Sequence, residues 1–403
     1  MLIAIVGAGL CGTRAAEVLR KEGFDGRILL CGDEPDLPYD RPPLSKEFLA
    51  GEADEAAVTL HPEAWYAEQR IELELGRPVA AIDPPAHKLT WADGQSVRYD
   101  KLLLATGSQA RRLPLPGADL EGVLYLRTLA DARRLRAAIG AARRVAIVGA
   151  GFIGCEVAAV ARAGGAEVTL LETLPAPLHR VLGPEAGGRI ARLHRDHGVD
   201  VRCGVAVEAF VGEGGRLRGV RLAGGEVVEC EACAVGVGIV PAAALAAAAG
   251  IACADGVAVN EFCESSAPDI LAAGDVAAWP YRGGRLRVEH WDNALNQAAT
   301  AAKAMLGRRE AYAPTPYFWS DQYGWKLQYL GHAARWDRVV ARGDLESDSW
   351  ALFYLVGNRA QAALVVNRPR EIMAIRRLMA AQPEVTAEVL ADPATDLRAL
   401  ARG

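Results

Sequence analysis

Short apolar runs that stop abruptly at glycines, each followed by a stretch of helix formers, set the rhythm of this chain. IAIVGAGLCG at residues 3–12 has that form, and VAIVGAGFIG at 145–154 repeats it. Unbroken apolar runs of this length read as strands buried on both faces, and the alanine- and leucine-rich stretches after them read as helices. Another apolar run follows each helix, RILLC at 27–31 and EVTLLE at 167–172, so each copy opens a βαβ unit. Further strand-like runs lie at 71–75, 77–82, 87–91, 101–107, 233–238 and 269–277. Helices are expected near 128–140, 184–197 and 293–306. The alanine-rich run 242–254 reads as another, with Gly250 at its end. From residue 316 onward, aromatic strand-like runs (KLQYL, WALFYLV, AALVV) alternate, and two helices close the chain. Prolines cluster at 34–51, 111–117 and 313–316 and mark the joints.

The glycines carry chemistry. In G-x-G-x-x-G between a strand and a helix, the first glycine makes the tight turn and the second lets a pyrophosphate approach the backbone. The third lets the helix pack on the strand, and the helix N-terminus faces the anion. Gly7, Gly9 and Gly12 take these roles in the first copy; Gly149, Gly151 and Gly154 take them in the second. Leu10 and Cys11, and Phe152 and Ile153, begin the two helices and join the same nucleotide sites. Asp33 or Glu34 ends the second strand of the first unit, where a carboxylate accepts ribose hydroxyls; Glu172 does so in the second and repels a 2′-phosphate. The first site therefore suits FAD or NAD, and the second favours NAD over NADP. Asp275, in LAAGDVA, ends another strand in a turn where it can reach the ribityl or phosphate side of a flavin. With Ala105, Thr106 and Gly107 of the ATG turn it completes a flavin pattern.

The expected architecture is α/β: two Rossmann-like dinucleotide-binding domains, for FAD and NAD, plus a C-terminal α+β domain. The FAD domain is discontinuous (1–112 and 243–315), the NAD domain covers 113–242, and the last domain covers 316–403. A net charge of −5 argues against general nucleic-acid binding. A strand beginning at Leu2 leaves no room for a signal peptide, and no run is long enough to span a bilayer. The eight scattered cysteines suit a reducing compartment, so a cytoplasmic location is expected. Cys230 and Cys233 read as core residues of one strand, their thiols on opposite faces. His194 and His197 read as a solvated helix face rather than a metal pair, and no metal is expected.

The motifs GAGLCG, LPYDRPPLSK, ATGS, GAGFIGCE, LAAGDVA, EHWDNA and YFWSDQYG run the length of the chain. Together they resemble the FAD-dependent NAD(P)H ferredoxin reductases of bacterial oxygenase systems, whose relatives include rubredoxin reductases and apoptosis-inducing factor. The resemblance implies that Arg41 contacts the FAD pyrophosphate, that Pro43 packs at the flavin and that Lys46 lies beside flavin N5. Glu156 then pairs with Lys46 and faces the nicotinamide. Trp291 and Trp319 lie near the flavin, and Val79, Val276 and Gly238 complete the cofactor contacts. Hydride transfer to N5 builds negative charge, so a fixed cation there stabilises the product. No cysteine lies between residues 35 and 60, which argues against thiol–disulfide exchange through the flavin. NADH is then the donor and FAD the carrier. The acceptor is a [2Fe–2S] ferredoxin serving a haem monooxygenase or Rieske-type oxygenase, and the reductase is a monomer or weak homodimer. A rubredoxin reductase or NADH oxidase of the same fold, and an NADH-sensing flavoprotein, are the alternatives. Docking an acidic ferredoxin calls for a basic patch; Arg308, Arg309, Arg335, Arg338, Arg342, Arg368 and Arg370 are the candidates.

Overall fold

The structure, a computed structural model, describes residues 1–402. The chain divides into two compact units. The first gathers Met1–Asp40, Glu55–Gln109 and Ile239–Pro314; the second gathers Arg41–Asp54, Ala110–Gly238 and the chain from Thr315 onward.

A five-stranded parallel sheet organises the first unit, in the order Ile270–Ala272, Lys101–Leu104, Leu2–Val6, Arg27–Cys31, Ile71–Glu74. Leu2–Val6 holds the centre, with Ile3 aligned to Ile28 on one side and Lys101 on the other. Its side chains alternate between two cores. Ile3 and Ile5 pack with Ala15 and Leu19 of helix Leu10–Lys21 and with Ala298, Ala301 and Met305 of helix Trp291–Met305. Ala4 and Val6 point the other way, into a core with Val257, Trp279 and Tyr312. Burial on both faces explains the unbroken apolar run, and each fully buried isoleucine contributes roughly 1.5–3 kcal/mol. Val79–Asp83, Lys88–Trp91 and Ser96–Arg98 form a small antiparallel sheet. The alanine-rich run yields the helix Ala244–Ala248. Gly250 turns the chain at φ 74° just past its end, as expected; Ile251 is buried, and Cys253–Ala254 forms a strand.

The second unit repeats the parallel plan in the order Asp200–Cys203, Glu167–Glu172, Arg144–Val148, Ala232–Val235, Val123–Tyr125. Helix Leu129–Ala141 starts at a capping box in which Thr128 and Asp131 each satisfy the other's backbone N–H. The helix expected at 184–197 begins earlier, at His179, and ends at Asp196. It bends where Gly183 takes φ 76° and Pro184 opens a fresh turn. The strand expected through both Cys230 and Cys233 is two strands, Val227–Glu229 and Ala232–Val235. The backbone breaks between them, where Glu231 bonds the backbone N–H of Arg144. Both thiols are buried in one core, so the packing role holds although the opposite-face argument does not.

The chain from Tyr317 forms an antiparallel sheet ordered Tyr317–Gln322, Trp325–Gly331, Arg359–Val366, Trp350–Val356, Arg338–Arg342. Leu327, Leu352 and Leu364 on one face share a core with Val157, Ala161 and Ile190. Leu330, Phe353 and Val365 on the other meet the closing helices. Three such helices occur among the described residues, Ile372–Ala381, Ala387–Ala391 and Leu397–Leu400, because Pro383 and Pro393 divide the segment.

His194 is fully buried rather than solvated, its Nε2 3.1 Å from Gln322 Oε1. Tyr323 stacks on His197 and meets His194 edge-on. Helix His179–Asp196 turns this histidine inward because strand Tyr317–Gln322 covers it, a neighbour that helical spacing alone cannot reveal. Burial pushes the His194 pKa down to about 4. An unfolded histidine titrates near 6.5, so the stabilisation is complete above that value and declines as pH falls toward 4. Between pH 7 and 5 the expected loss is about 2 kcal/mol. Urea unfolding should show this slope in the wild type, flattened in His194→Gln; an equal slope in both would refute it.

Candidate functional site

In the first unit the turn after Leu2–Val6 is fixed by crowding. Gly7 has φ 117°, and a Cβ there would stand 2.1 Å from the carbonyl oxygen of Ala105; at Gly12 a Cβ would stand 2.0 Å from the carbonyl oxygen of Gly7. Those two glycines are required by the protein itself. Gly9 is not: a Cβ there would meet nothing within 4 Å. Gly9 is the N-cap of helix Leu10–Lys21, no side chain caps it, and no acid stands in the first turn. The leading N–H groups of that helix are thus left for an anion, with open space in front of the middle glycine. This fits a dinucleotide pyrophosphate.

Neighbouring groups converge on the same turn. Ala105 N donates to Val6 O, and the Thr106 hydroxyl donates to Ala242 O, which holds Ala105–Gly107 beside it. Asp275 lies in the short 3₁₀ turn Gly274–Val276, whose first N–H donates to Gln297 Oε1. A Cβ at Gly274 would stand 3.1 Å from Cys11 Sγ, so the Asp275 turn and the first helical turn are in contact. Burial, with Asp275 nearby, holds the Cys11 thiol well above its usual pKa. Tyr39 donates to Glu34, whereas Asp33 is exposed. Trp291 opens helix Trp291–Met305 and donates from Nε1 to Asp40 at 2.7 Å; burial raises the Asp40 pKa. Val79 starts a strand paired with Trp91 and packs on the cluster of Leu2, Leu29 and Cys31; Val276 is fully buried.

The second unit contains the same device. Gly149 has φ 98°, with a Cβ 2.3 Å from Gly236 O; Gly154 would clash with Gly149 O; Gly151 faces open space apart from Gly236 O at 4.0 Å. Gly151 is the uncapped N-cap of helix Phe152–Ala163. Glu172 reaches back to this loop. Its Oε2 accepts from Ala150 N at 2.8 Å, and its Oε1 accepts from Leu174 N and the Thr173 hydroxyl. The carboxylate is therefore held at the loop, with lone pairs to spare. Phe152 meets Phe318 edge-on, Ile153 is exposed, and Gly238 turns at φ 100°.

One turn along that helix stands Glu156, 3% exposed. Lys46 Nζ lies 3.2 Å from its Oε2 and 3.0 Å from Pro42 O. Ser45 donates to the same Oε2, and Ser320 donates to Oε1 at 2.6 Å. Gln322 Nε2 reaches the Ser320 oxygen at 3.1 Å. The pairing of Lys46 with Glu156 was anticipated through the resemblance alone; Ser45, Ser320, Gln322 and His194 were missed, although three of them lie inside quoted motifs. Arg41 donates to Arg127 O, and Pro43 sits in the 3₁₀ turn Pro42–Ser45. Trp319, on the strand of Ser320, stacks with Tyr317.

The arginines split. Arg342 is buried and donates to the carbonyl oxygens of Leu390, Asp392, Pro393 and Thr395, so it braces the chain end instead of facing a partner. Arg368 spends itself on Glu371 and Arg342 O. Arg308 pairs with Glu22 and Arg309 with Glu264. Arg335, Arg338 and Arg370 are exposed. Among the described residues no cluster of His, Cys, Asp and Glu is placed to hold a metal, and no helix is long and apolar enough to cross a membrane.

Comparison with known proteins agrees with this geometry. The pyridine nucleotide-disulphide oxidoreductase family profile matches residues 1–298, and the reductase C-terminal profile matches 317–401. Rhodocoxin reductase of Rhodococcus erythropolis is 40% identical over 405 residues, covering 100% of this chain and 95% of that protein. The ferredoxin–NAD(+) reductase component of the biphenyl dioxygenase system of Paraburkholderia xenovorans is 41% identical, covering 99% of this chain and 98% of its own. Putidaredoxin reductase, solved in its covalent complex with putidaredoxin, superimposes with a TM-score of 0.96 at 35% identity, covering 99% and 97% of the two chains. A ferredoxin reductase from Rhodopseudomonas palustris superimposes with a TM-score of 0.96 at 38% identity, covering 99% of each chain. With relatives of this identity along its whole length, the chain belongs to the pyridine nucleotide-disulphide oxidoreductases, in the branch of FAD-dependent ferredoxin reductases of bacterial oxygenase systems.

Proposed function

We propose that this protein is a cytoplasmic reductase that takes electrons from NADH through FAD and passes them to a [2Fe–2S] ferredoxin supplying an oxygenase. The observation that carries the reading is the pair of glycine cradles, each open at the middle glycine and backed by an uncapped helix. Bound FAD would supply two-electron acceptance from NADH and one-electron delivery to the ferredoxin. The chain's own groups divide the remaining work. In the first unit Gly7, Gly9, Leu10, Cys11 and Gly12 cradle the FAD pyrophosphate, Glu34 or Asp33 takes the ribose, and Ala105–Gly107, Asp275 and Val276 hold the flavin side. Arg41 adds charge for the pyrophosphate; Pro43, Val79, Trp291 and Trp319 supply surface for the flavin. In the second unit Gly149, Gly151 and Gly154 cradle the NADH pyrophosphate, Glu172 takes the adenosine ribose, and Phe152, Ile153 and Gly238 border the nicotinamide half. Lys46 offsets the charge that hydride transfer develops, and Glu156 holds Lys46 in place. The domain limits we assign are 1–112 with 243–315 for FAD, 113–242 for NAD and 316–403 for the C-terminal domain. NADH-driven reduction of cytochrome c, with and without added [2Fe–2S] ferredoxins, tests the whole reading. No stimulation by any ferredoxin would overturn it.

Three outcomes follow from the geometry. Gly9→Ala meets no protein atom, so the apoprotein should keep its unfolding midpoint while the flavin is lost or weakened; wild-type FAD retention would place the pyrophosphate elsewhere. NADH should surpass NADPH by about 30–150-fold in kcat/KM, equivalent to ~2–3 kcal/mol of like-charge repulsion at Glu172. Glu172→Ala should narrow that ratio, and an unchanged ratio would remove Glu172 from coenzyme choice. Lys46→Ala and Glu156→Ala should slow stopped-flow reduction by NADH on the order of 10²–10³-fold with FAD still bound; unchanged rates would dismiss the pair.

A further inference from the structure

Four buried polar residues stand in a line that ends at Glu156. His194, Gln322 and Ser320 are each at most 1% exposed, and Glu156 is 3% exposed. The contacts are His194 Nε2 to Gln322 Oε1 at 3.1 Å, Gln322 Nε2 to Ser320 Oγ at 3.1 Å and Ser320 Oγ to Glu156 Oε1 at 2.6 Å. The direction of the line is fixed by what each atom can do. Gln322 Oε1 only accepts, so the proton between it and the imidazole belongs to His194 Nε2. Gln322 Nε2 only donates, so Ser320 accepts from it and turns its own proton to Glu156. Every donor thus points toward the carboxylate. His194 Nδ1 is buried with no hydrogen-bond partner, as suits a neutral ring carrying its proton on Nε2.

We propose that Ser320 and Gln322, supported by His194, are positioning residues that hold the Glu156 carboxylate aimed at Lys46. The inference rests on the role given above to the Lys46–Glu156 pair. A one-way chain of donors fixes the orientation of the carboxylate on which it ends. It also leaves Oε2 to Lys46 and Ser45, because Ser320 occupies Oε1. The other titratable neighbour is Cys155, next to Glu156 on its helix, whose thiol stays protonated because burial raises its pKa. Ser320 and Gln322 thereby contribute to hydride transfer from the C-terminal domain by way of Glu156.

The test is stopped-flow reduction of the FAD-loaded protein by NADH. Ser320→Ala should lower the limiting rate about tenfold or more, the cost of one hydrogen bond to a charged group. Gln322→Met should lower it by less, and Ser320→Thr should restore it. The apparent Kd for NADH should stay near the wild-type value. If Glu156→Gln reduces at the wild-type rate, the role of the pair fails. If Glu156→Gln is slow but Ser320→Ala keeps the wild-type rate, this inference alone is overturned.

Discussion

A carbonyl oxygen lies about where a side chain would begin at Gly7, Gly12, Gly149 and Gly154, and that crowding governs the molecule. Each helix can begin only by leaning on the turn that precedes it. Its first N–H groups are then presented at the end of the central strand of a parallel sheet, where an anion meets both the open donors and the positive end of the helix. The strands beneath are buried on both faces, so the presenting surface is rigid. The sites inherit their accuracy from backbone packing, and side chains such as Glu172 and Asp275 refine what the backbone has already placed.

The second constraint is the burial of charge. Glu156 is nearly inaccessible, and an unpaired carboxylate there would be costly. Lys46, Ser45 and Ser320 answer it from two other stretches of chain. The same economy appears at Arg342, whose guanidinium is surrounded by four carbonyl oxygens near the chain end. In one place the buried ion is met by a lysine and two hydroxyls; in the other it closes a fold.

Elements whose signal is local were legible in the sequence. The two βαβ openings, the acidic residues after them and the aromatic sheet at the end follow from short-range pattern and turn chemistry. What eluded it depends on partners distant in the chain. His194 and Arg342 look like surface residues by composition and become buried only because strand Tyr317–Gln322 and the closing helices cover them. The donors to Glu156 stood in plain view within recognisable motifs, but their shared target lies over a hundred residues away from either, and spacing carries no information about such meetings.

Helix Phe152–Ala163 starts at the glycine turn of Gly151 and carries the buried carboxylate of Glu156, five residues apart. At 1.5 Å per residue the helix is a ruler of about 7–8 Å between the two. A ruler of this kind separates two evolutionary problems. Under the roles proposed above, the residue at the tip of the neighbouring strand can change from an acid to a neutral or basic one, exchanging one coenzyme for another, while the interval to the carboxylate is untouched. Coenzyme choice and hydride transfer would then be separately adjustable.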